Sequence, residues 1–289
     1  MSIGILAALI AMFCWGFGDF FIQNSTRKIG DWETLFLITL AGTAGLFPFV
    51  TRDIPSLFQQ SDQTLWVIIV AGILLLIASL LEFEALKEGK ISIIEPTWSI
   101  EIPVAVIMAT LFLGESLTVV QTGSIIGLIA GLILVSYKSG TIHKRFFFEK
   151  GIQISILAAI IMGATNFFVG WGARETNPLM INFIISAISL IGSGIFLIIK
   201  GKLIPTFRHL TTYPKTIVPM MFLDNIAWVA FAYGMALAPI GITVALSESY
   251  IIIAVLLGIF IGREKLERHQ YVGLLIAVTA AIVLAIMTS

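Results

Sequence analysis

Residues 15–36 read WGFGDFFIQNSTRKIGDWETLF, and residues 162–183 read MGATNFFVGWGARETNPLMINF. At a shift of 147, Gly16 falls on Gly163, Phe20 and Phe21 on Phe167 and Phe168, Arg27 on Arg174, and Phe36 on Phe183. Farther along, the shift drifts to 149, where LGES around Glu115 meets GREK around Glu264, and Gln121 meets Gln270. The chain carries one unit twice, and the nature of that unit decides the fold.

Composition identifies the solvent. Of 289 residues, 58% are hydrophobic and 12% charged, and the mean hydropathy is +1.03, outside the range of soluble domains. A helix needs about 20 predominantly apolar residues to cross a bilayer. The sequence predicts ten such spans. The first five are Ile3 to Gln23, Glu33 to Val50, Leu65 to Leu86, Ile91 to Leu113 and Thr118 to Tyr137. The second five are Gly151 to Trp171, Pro178 to Ile199, Thr216 to Ala238, Ile240 to Ile261 and Gln270 to Met287. Short breaks make consecutive spans antiparallel neighbours and leave no room for a soluble domain. The expected fold class is an all-α integral membrane protein, with repeats at residues 1–140 and 147–289. Because each repeat has an odd number of spans, the second enters the membrane from the opposite side. Inverted-topology duplication characterises secondary transporters, whose substrate site lies between the repeats near the midplane.

Several other chemistries find no support. The formal charge is zero, with 17 basic and 17 acidic residues, so no nucleic-acid partner is expected. Cys14 has no second thiol to pair with, and His143, His209 and His269 fall in loops or at a helix edge, so neither a metal nor another cofactor is expected. No Lys or Arg precedes the first span and no A-x-A pattern closes it, so it is read as a retained helix rather than a signal peptide. H-E-x-x-H, G-x-S-x-G, a paired-aspartate protease signature and a P-loop are all missing, which argues against an intramembrane enzyme or an ATP-driven pump.

Charge placement is more telling. All 17 Lys and Arg lie outside the spans, whereas Asp19, Glu82, Glu84, Glu95, Glu101, Asp224 and Glu248 lie inside. A carboxyl near the bilayer centre costs roughly 2.5–3.5 kcal/mol on insertion scales, so such residues face a protein interior or an aqueous cavity. Loops after odd-numbered spans hold 15 of the basic residues and those after even-numbered spans only Arg52 and Arg174. By the positive-inside rule this count places both termini outside.

Span 4 concentrates the signals. Pro96 and Pro103 each remove a backbone donor and are expected to open the helix locally. At 100° per residue Glu95, Trp98 and Glu101 share one broad face. In span 8, Asp224 and Trp228 are spaced i, i+4, and Glu248 sits within a Ser-Glu-Ser triplet of span 9. Plainer roles stand beside these. Glu84 can pair with Lys87, Asp19 can bond Gln23 or Asn166, and Glu115 and Glu264 can cap the helices that follow them. Trp15, Trp98 and Trp228 serve equally as cavity walls or as packing, while Trp32, Trp66 and Trp171 suit an interfacial belt.

Taken together, the sequence resembles the drug/metabolite transporter superfamily, EamA type. The resemblance rests on Trp15-Gly16, the Ala85-Leu86 and Ala236-Leu237 pairs, Pro103 twelve residues before Glu115, Gly114-Glu115 with its counterpart Glu264, and Gly273. It implies a ten-helix carrier with a cavity walled by helices 1, 3, 4, 6, 8 and 9, which carry all seven acids, and it implies cytosolic termini, opposite to the charge count. The chain departs from the family pattern at Arg263-Glu264, at Ile252 in place of a second proline, and near Glu33-Thr34, where an arginine is often found.

An acidic cavity without Lys or Arg attracts cations, and carboxyls held from water can exchange protons near neutral pH. The reading is a secondary-active or facilitative carrier of a small amine-containing or zwitterionic metabolite in the plasma membrane, with proton coupling as part of the hypothesis. Glu101, Asp224 and Glu248 are the substrate or proton carboxyls and Glu95 a gate. Asp19, Asn166, Trp15, Trp98 and Trp228 complete the candidate site, the indoles offering cation–π contacts. The alternatives are a carrier of a neutral sugar or nucleoside-like solute, and a lipid-handling or partner-binding membrane protein. Membrane lipid is the other expected contact, and the oligomer is a monomer or homodimer.

Overall fold

The computed structural model describes residues 2–88, 97–136, 150–260 and 266–288, and within them the regular structure is helical. In the first repeat, α1 spans Ile3–Ile29, α2 Asp31–Val50, α3 Asp62–Glu88, α4 Glu101–Leu113 and α5 Val119–Ser136. The second repeat has α6 Lys150–Glu175, α7 Pro178–Ile199, α8 Pro214–Leu237, α9 in two pieces, Ile240–Glu248 and Tyr250–Phe260, and α10 Arg268–Met287. Eight of these helices are long and apolar enough to cross a membrane, and α4 and the first part of α9 are shorter apolar segments. Two further short helices, Ile54–Leu57 and Leu203–Thr212, lie in connections where the sequence reading placed only loops.

Packing follows the duplication. Helix α1 lies against α8 and α6 against α3; α4 packs on α6 and α9 on α1. Adding five to each label turns one contact of each pair into the other. The contacts of α2 with α7, α4 with α9 and α5 with α10 map onto themselves. Each repeat is thus interleaved with the other, so neither buries its polar face alone.

Glycines set the closest approaches. A Cβ on Gly16 would stand 2.9 Å from Cβ of Ile253, and one on Gly163 would stand 2.7 Å from Cβ of Val104 and 2.8 Å from the Glu101 carbonyl oxygen. Away from the centre, α5 and α10 meet backbone to backbone, since a Cβ on Gly131 would lie 2.6 Å from the Ala277 nitrogen. Where lipid supplies no hydrophobic drive between helices, such small residues let dispersion contacts hold the bundle. Gln270 adds a bond from Nε2 to the Val135 carbonyl oxygen at 2.9 Å.

Two local expectations need correction. Span 4 is interrupted just ahead of Pro103 rather than at it: Thr97 and Trp98 are helical, Ser99 and Ile100 form a turn, and α4 begins at Glu101. The proline sits in the first turn, where its missing donor has no intrahelical partner to lose. Span 9 is not continuous either. Ser247 Oγ donates to the Val244 carbonyl at 3.0 Å and Ser249 Oγ to that of Leu246, and the chain breaks between Glu248 and Tyr250. Hydroxyls bonded back to a preceding carbonyl compete with the helical ladder, which gives the Ser-Glu-Ser triplet its structural meaning.

Candidate functional site

The two shortened helices occupy corresponding positions in the repeats, and interrupted spans so placed mark the binding region of inverted-repeat carriers. Between them lies a cavity of about 90 Å³. That is smaller than the ~150 Å³ cavity known to admit benzene, so a metabolite enters only when the helices part. Five carboxyls line it: Asp19 from α1, Glu82 from α3, Glu101 from α4, Asp224 from α8 and Glu248 from α9. Among the described residues no Lys, Arg or His belongs to the lining. Trp15, Trp98, Trp228 and Asn166 also face this space, so eight of the nine predicted site residues converge there. The ninth, Glu95, lies outside the described residues, as do Pro96 and Glu264.

Helical spacing delivers these groups. Leu75, Ser79 and Glu82 recur at i, i+4 and i+7 on the wall, one stripe of α3. Trp15 and Asp19 are one turn apart on α1, and Asp224 and Trp228 one turn apart on α8. The Trp15 and Trp228 rings meet edge to face at 5.5 Å. Glu101, Asp224 and Glu248 are buried. Glu82 and Glu101 face the same cavity and interact electrostatically.

Partner choice differs from expectation at Asp19 and Glu115 and follows it at Glu84. Asn166 donates Nδ2 to Glu101 Oε2 at 2.9 Å rather than to Asp19, which faces the cavity with Tyr250. Glu84 stands on Lys87 at 3.0 Å and is not among the lining residues. Glu115 does not cap α5, the helix that follows it. That role falls to Thr118 and Gln121, which bond reciprocally at 2.9 and 3.2 Å. Glu115 instead accepts the Ile240 N–H at the start of α9, at 3.0 and 3.1 Å. It also takes Arg174 Nη2 at 2.6 Å. Arg174 in turn donates to the carbonyls of Met235 and Ala238, both at 2.9 Å. This clasp ties the end of α4 to α6, α8 and α9 across the repeats.

The sequence reading named Glu82 among the intramembrane acids without assigning it to the site, and it omitted Thr39, Ser186, Asn225 and Tyr250. The i, i+4, i+7 stripe was the available signal for Glu82. Walls contributed by α2 and α7, including Thr39 and Ser186, also extend beyond the six helices that the family resemblance implied. Among the described residues no group of three or more His, Cys, Asp or Glu is placed to hold a metal ion.

Interleaved helical repeats, paired broken helices and a central polar cavity define a multi-pass membrane carrier architecture. The model of the EamA-like transporter family matches this chain twice, over residues 2–137 and 149–286. The chain belongs to that family. It is also similar to the Uncharacterized protein MJ1333.1 of Methanocaldococcus jannaschii, with 32% identity over 134 residues. That match covers 46% of this chain and 94% of the relative, a protein about as long as one repeat. A solved crystal structure superposes with a TM-score of 0.74 at 15% identity, covering 99% of this chain and 97% of the other, which is a likeness of fold.

Proposed function

We propose that the protein is a secondary-active or facilitative carrier of a small amine-containing or zwitterionic metabolite in the plasma membrane. It works by alternating access as one repeat rocks against the other. One observation carries this reading: five carboxyls line a cavity between the repeats, with no cationic side chain among the described residues of its wall. Charges at such depth are costly unless a proton or a cationic solute offsets them. Proton coupling fits the facing Glu82 and Glu101 carboxyls, since a proton on one of them can leave when an ammonium group arrives.

The Arg174–Glu115 clasp fits the gate of one face. In the contracted state it joins parts of both repeats, and opening requires these bonds to break. Purified protein in liposomes tests the reading, since a carrier exchanges labelled amine against unlabelled amine across the bilayer. Chemical conversion of the solute would instead indicate an enzyme. Neither exchange nor conversion, with folded protein and any amine, would remove the carrier assignment.

A further inference from the structure

We propose that the short helix Leu203–Thr212 and the cations around it form a binding surface for anionic phospholipid headgroups at one end of the bundle. This surface is independent of what the cavity carries. Residues 200–215, KGKLIPTFRHLTTYPK, hold four Lys or Arg and no acid. They join the end of α7 at Ile199 to the start of α8 at Pro214, so the segment stands where two spans leave the hydrocarbon.

Its helix is divided by environment. Leu203, Thr206 and Leu210 turn to the protein, where Thr206 is buried and the two leucines pack on the core. Phe207 meets Phe36 of α2 edge to face at 5.6 Å yet remains 43% exposed, and Ile204 is 70% exposed. Apolar side chains on the outer flank of a helix at this depth are covered by lipid. Trp32 stacks on Phe196 at 3.8 Å nearby, which suits the level of the membrane–water interface.

Charge names the lipid. Lys28, Lys200, Arg208 and Lys215 are exposed, and none of them makes an ion pair among the described residues. Lys28 rests over the Tyr213 ring at 5.6 Å and reaches Thr216 Oγ1 at 3.5 Å, and Lys200 rests over the Phe196 ring at 5.8 Å. The described acids at this end of α2 and α3 are already engaged, Glu33 by Lys202 at 2.9 Å and both Asp31 and Glu84 by Lys87. Cations clustered at headgroup level beside exposed apolar side chains match a phosphate that carries acyl chains. The duplication supplies the contrast. At the shift of 149, Leu203 falls on Ile54, the start of the short helix Ile54–Leu57. Residues 51–62 around that helix set Arg52 against Asp53 and Asp62, so the copy of the segment at the opposite end carries no cationic excess.

The test is displacement of a fluorescent-tailed phosphatidylglycerol from the purified protein in uncharged micelles, by phosphatidylglycerol, phosphatidylcholine and glycerol 3-phosphate. Phosphatidylcholine keeps the chains without the net charge, and glycerol 3-phosphate keeps the anion without the chains. Phosphatidylglycerol should displace at concentrations at least about tenfold lower than either. Arg208→Gln with Lys215→Gln should lower its advantage over phosphatidylcholine severalfold. Lys28→Gln with Lys200→Gln should do the same and serves if the first pair fails to fold. Arg52→Gln, at the opposite end, should leave the advantage unchanged. Equal displacement by phosphatidylcholine, or by glycerol 3-phosphate, would overturn the proposal. An advantage kept in full by the folded paired variants would overturn its place on this helix.

Discussion

The two broken helices are images of each other in packing and opposites in chemistry. In the second repeat's first helix, Gly163 seats Val104 of α4, and in the first repeat's, Gly16 seats Ile253 of α9. Those partners are related by the shift of 149 that aligns Glu115 with Glu264. The same shift places Glu101 on Tyr250, and the shift of 147 places Asp19 on Asn166. Asn166 donates to Glu101 at 2.9 Å, and Asp19 and Tyr250 face the same cavity, so the carboxyl of the related pair stands on the broken helix in one copy and on the straight helix in the other. Duplication kept the joint and moved the charge. A carrier built this way can rock about symmetric contacts while offering its solute an asymmetric site.

The largest effects are expected at the glycine seats. Gly163→Ala presses on a backbone oxygen and should cost about 2–3 kcal/mol, whereas Gly16→Ala presses on a side chain that can shift and should cost about 1–2 kcal/mol. Unfolding of the purified variants in mixed micelles measures the difference, and equal losses would mean that the two seats are alike. Next comes the clasp. Arg174→Ala removes three bonds from one guanidinium and should cost about 2 kcal/mol. Arg174→Lys should not restore the loss, because an ammonium cannot reach the same three oxygens in a fixed fork. Full stability in the lysine variant would show that charge alone suffices.

Much of this was legible in the sequence because hydropathy and repetition are properties of the chain. The spans, their doubling and the intramembrane acids can be read from letters alone. Which acid meets which partner cannot, since it depends on how α1, α4, α6 and α9 come together. Asn166 therefore serves Glu101 rather than Asp19, and Glu115 serves the other repeat's helix rather than the next one. Composition also hid the break in α9, because nothing about Ser247-Glu248-Ser249 requires the hydroxyls to turn back on their own carbonyls. The short helix Leu203–Thr212 escaped because it is too short and too polar to read as a span.

Smaller effects refine the comparison. Tyr250→Phe removes a buried hydroxyl from the cavity wall and should cost about 1 kcal/mol while slowing solute exchange. An unchanged exchange rate would make that hydroxyl merely structural. At the N-terminus of α7, Asn177 caps the helix by accepting the Met180 N–H at 2.8 Å. Its counterpart in the first repeat, Gly30, adopts φ 101° and makes no side-chain cap. Asn177→Ala should therefore cost about 0.5–1 kcal/mol, read from the same unfolding transition.

Solute counterflow in proteoliposomes carrying wild-type protein or Glu101→Gln tests the central claim most directly. Glutamine can still accept from Asn166, so the fold should hold within about 1 kcal/mol. The account predicts amine exchange by the wild type that varies with pH, and a variant whose exchange is weak and insensitive to pH. A folded Glu101→Gln protein that exchanges the amine at the wild-type rate, with the wild-type pH profile, would contradict the account.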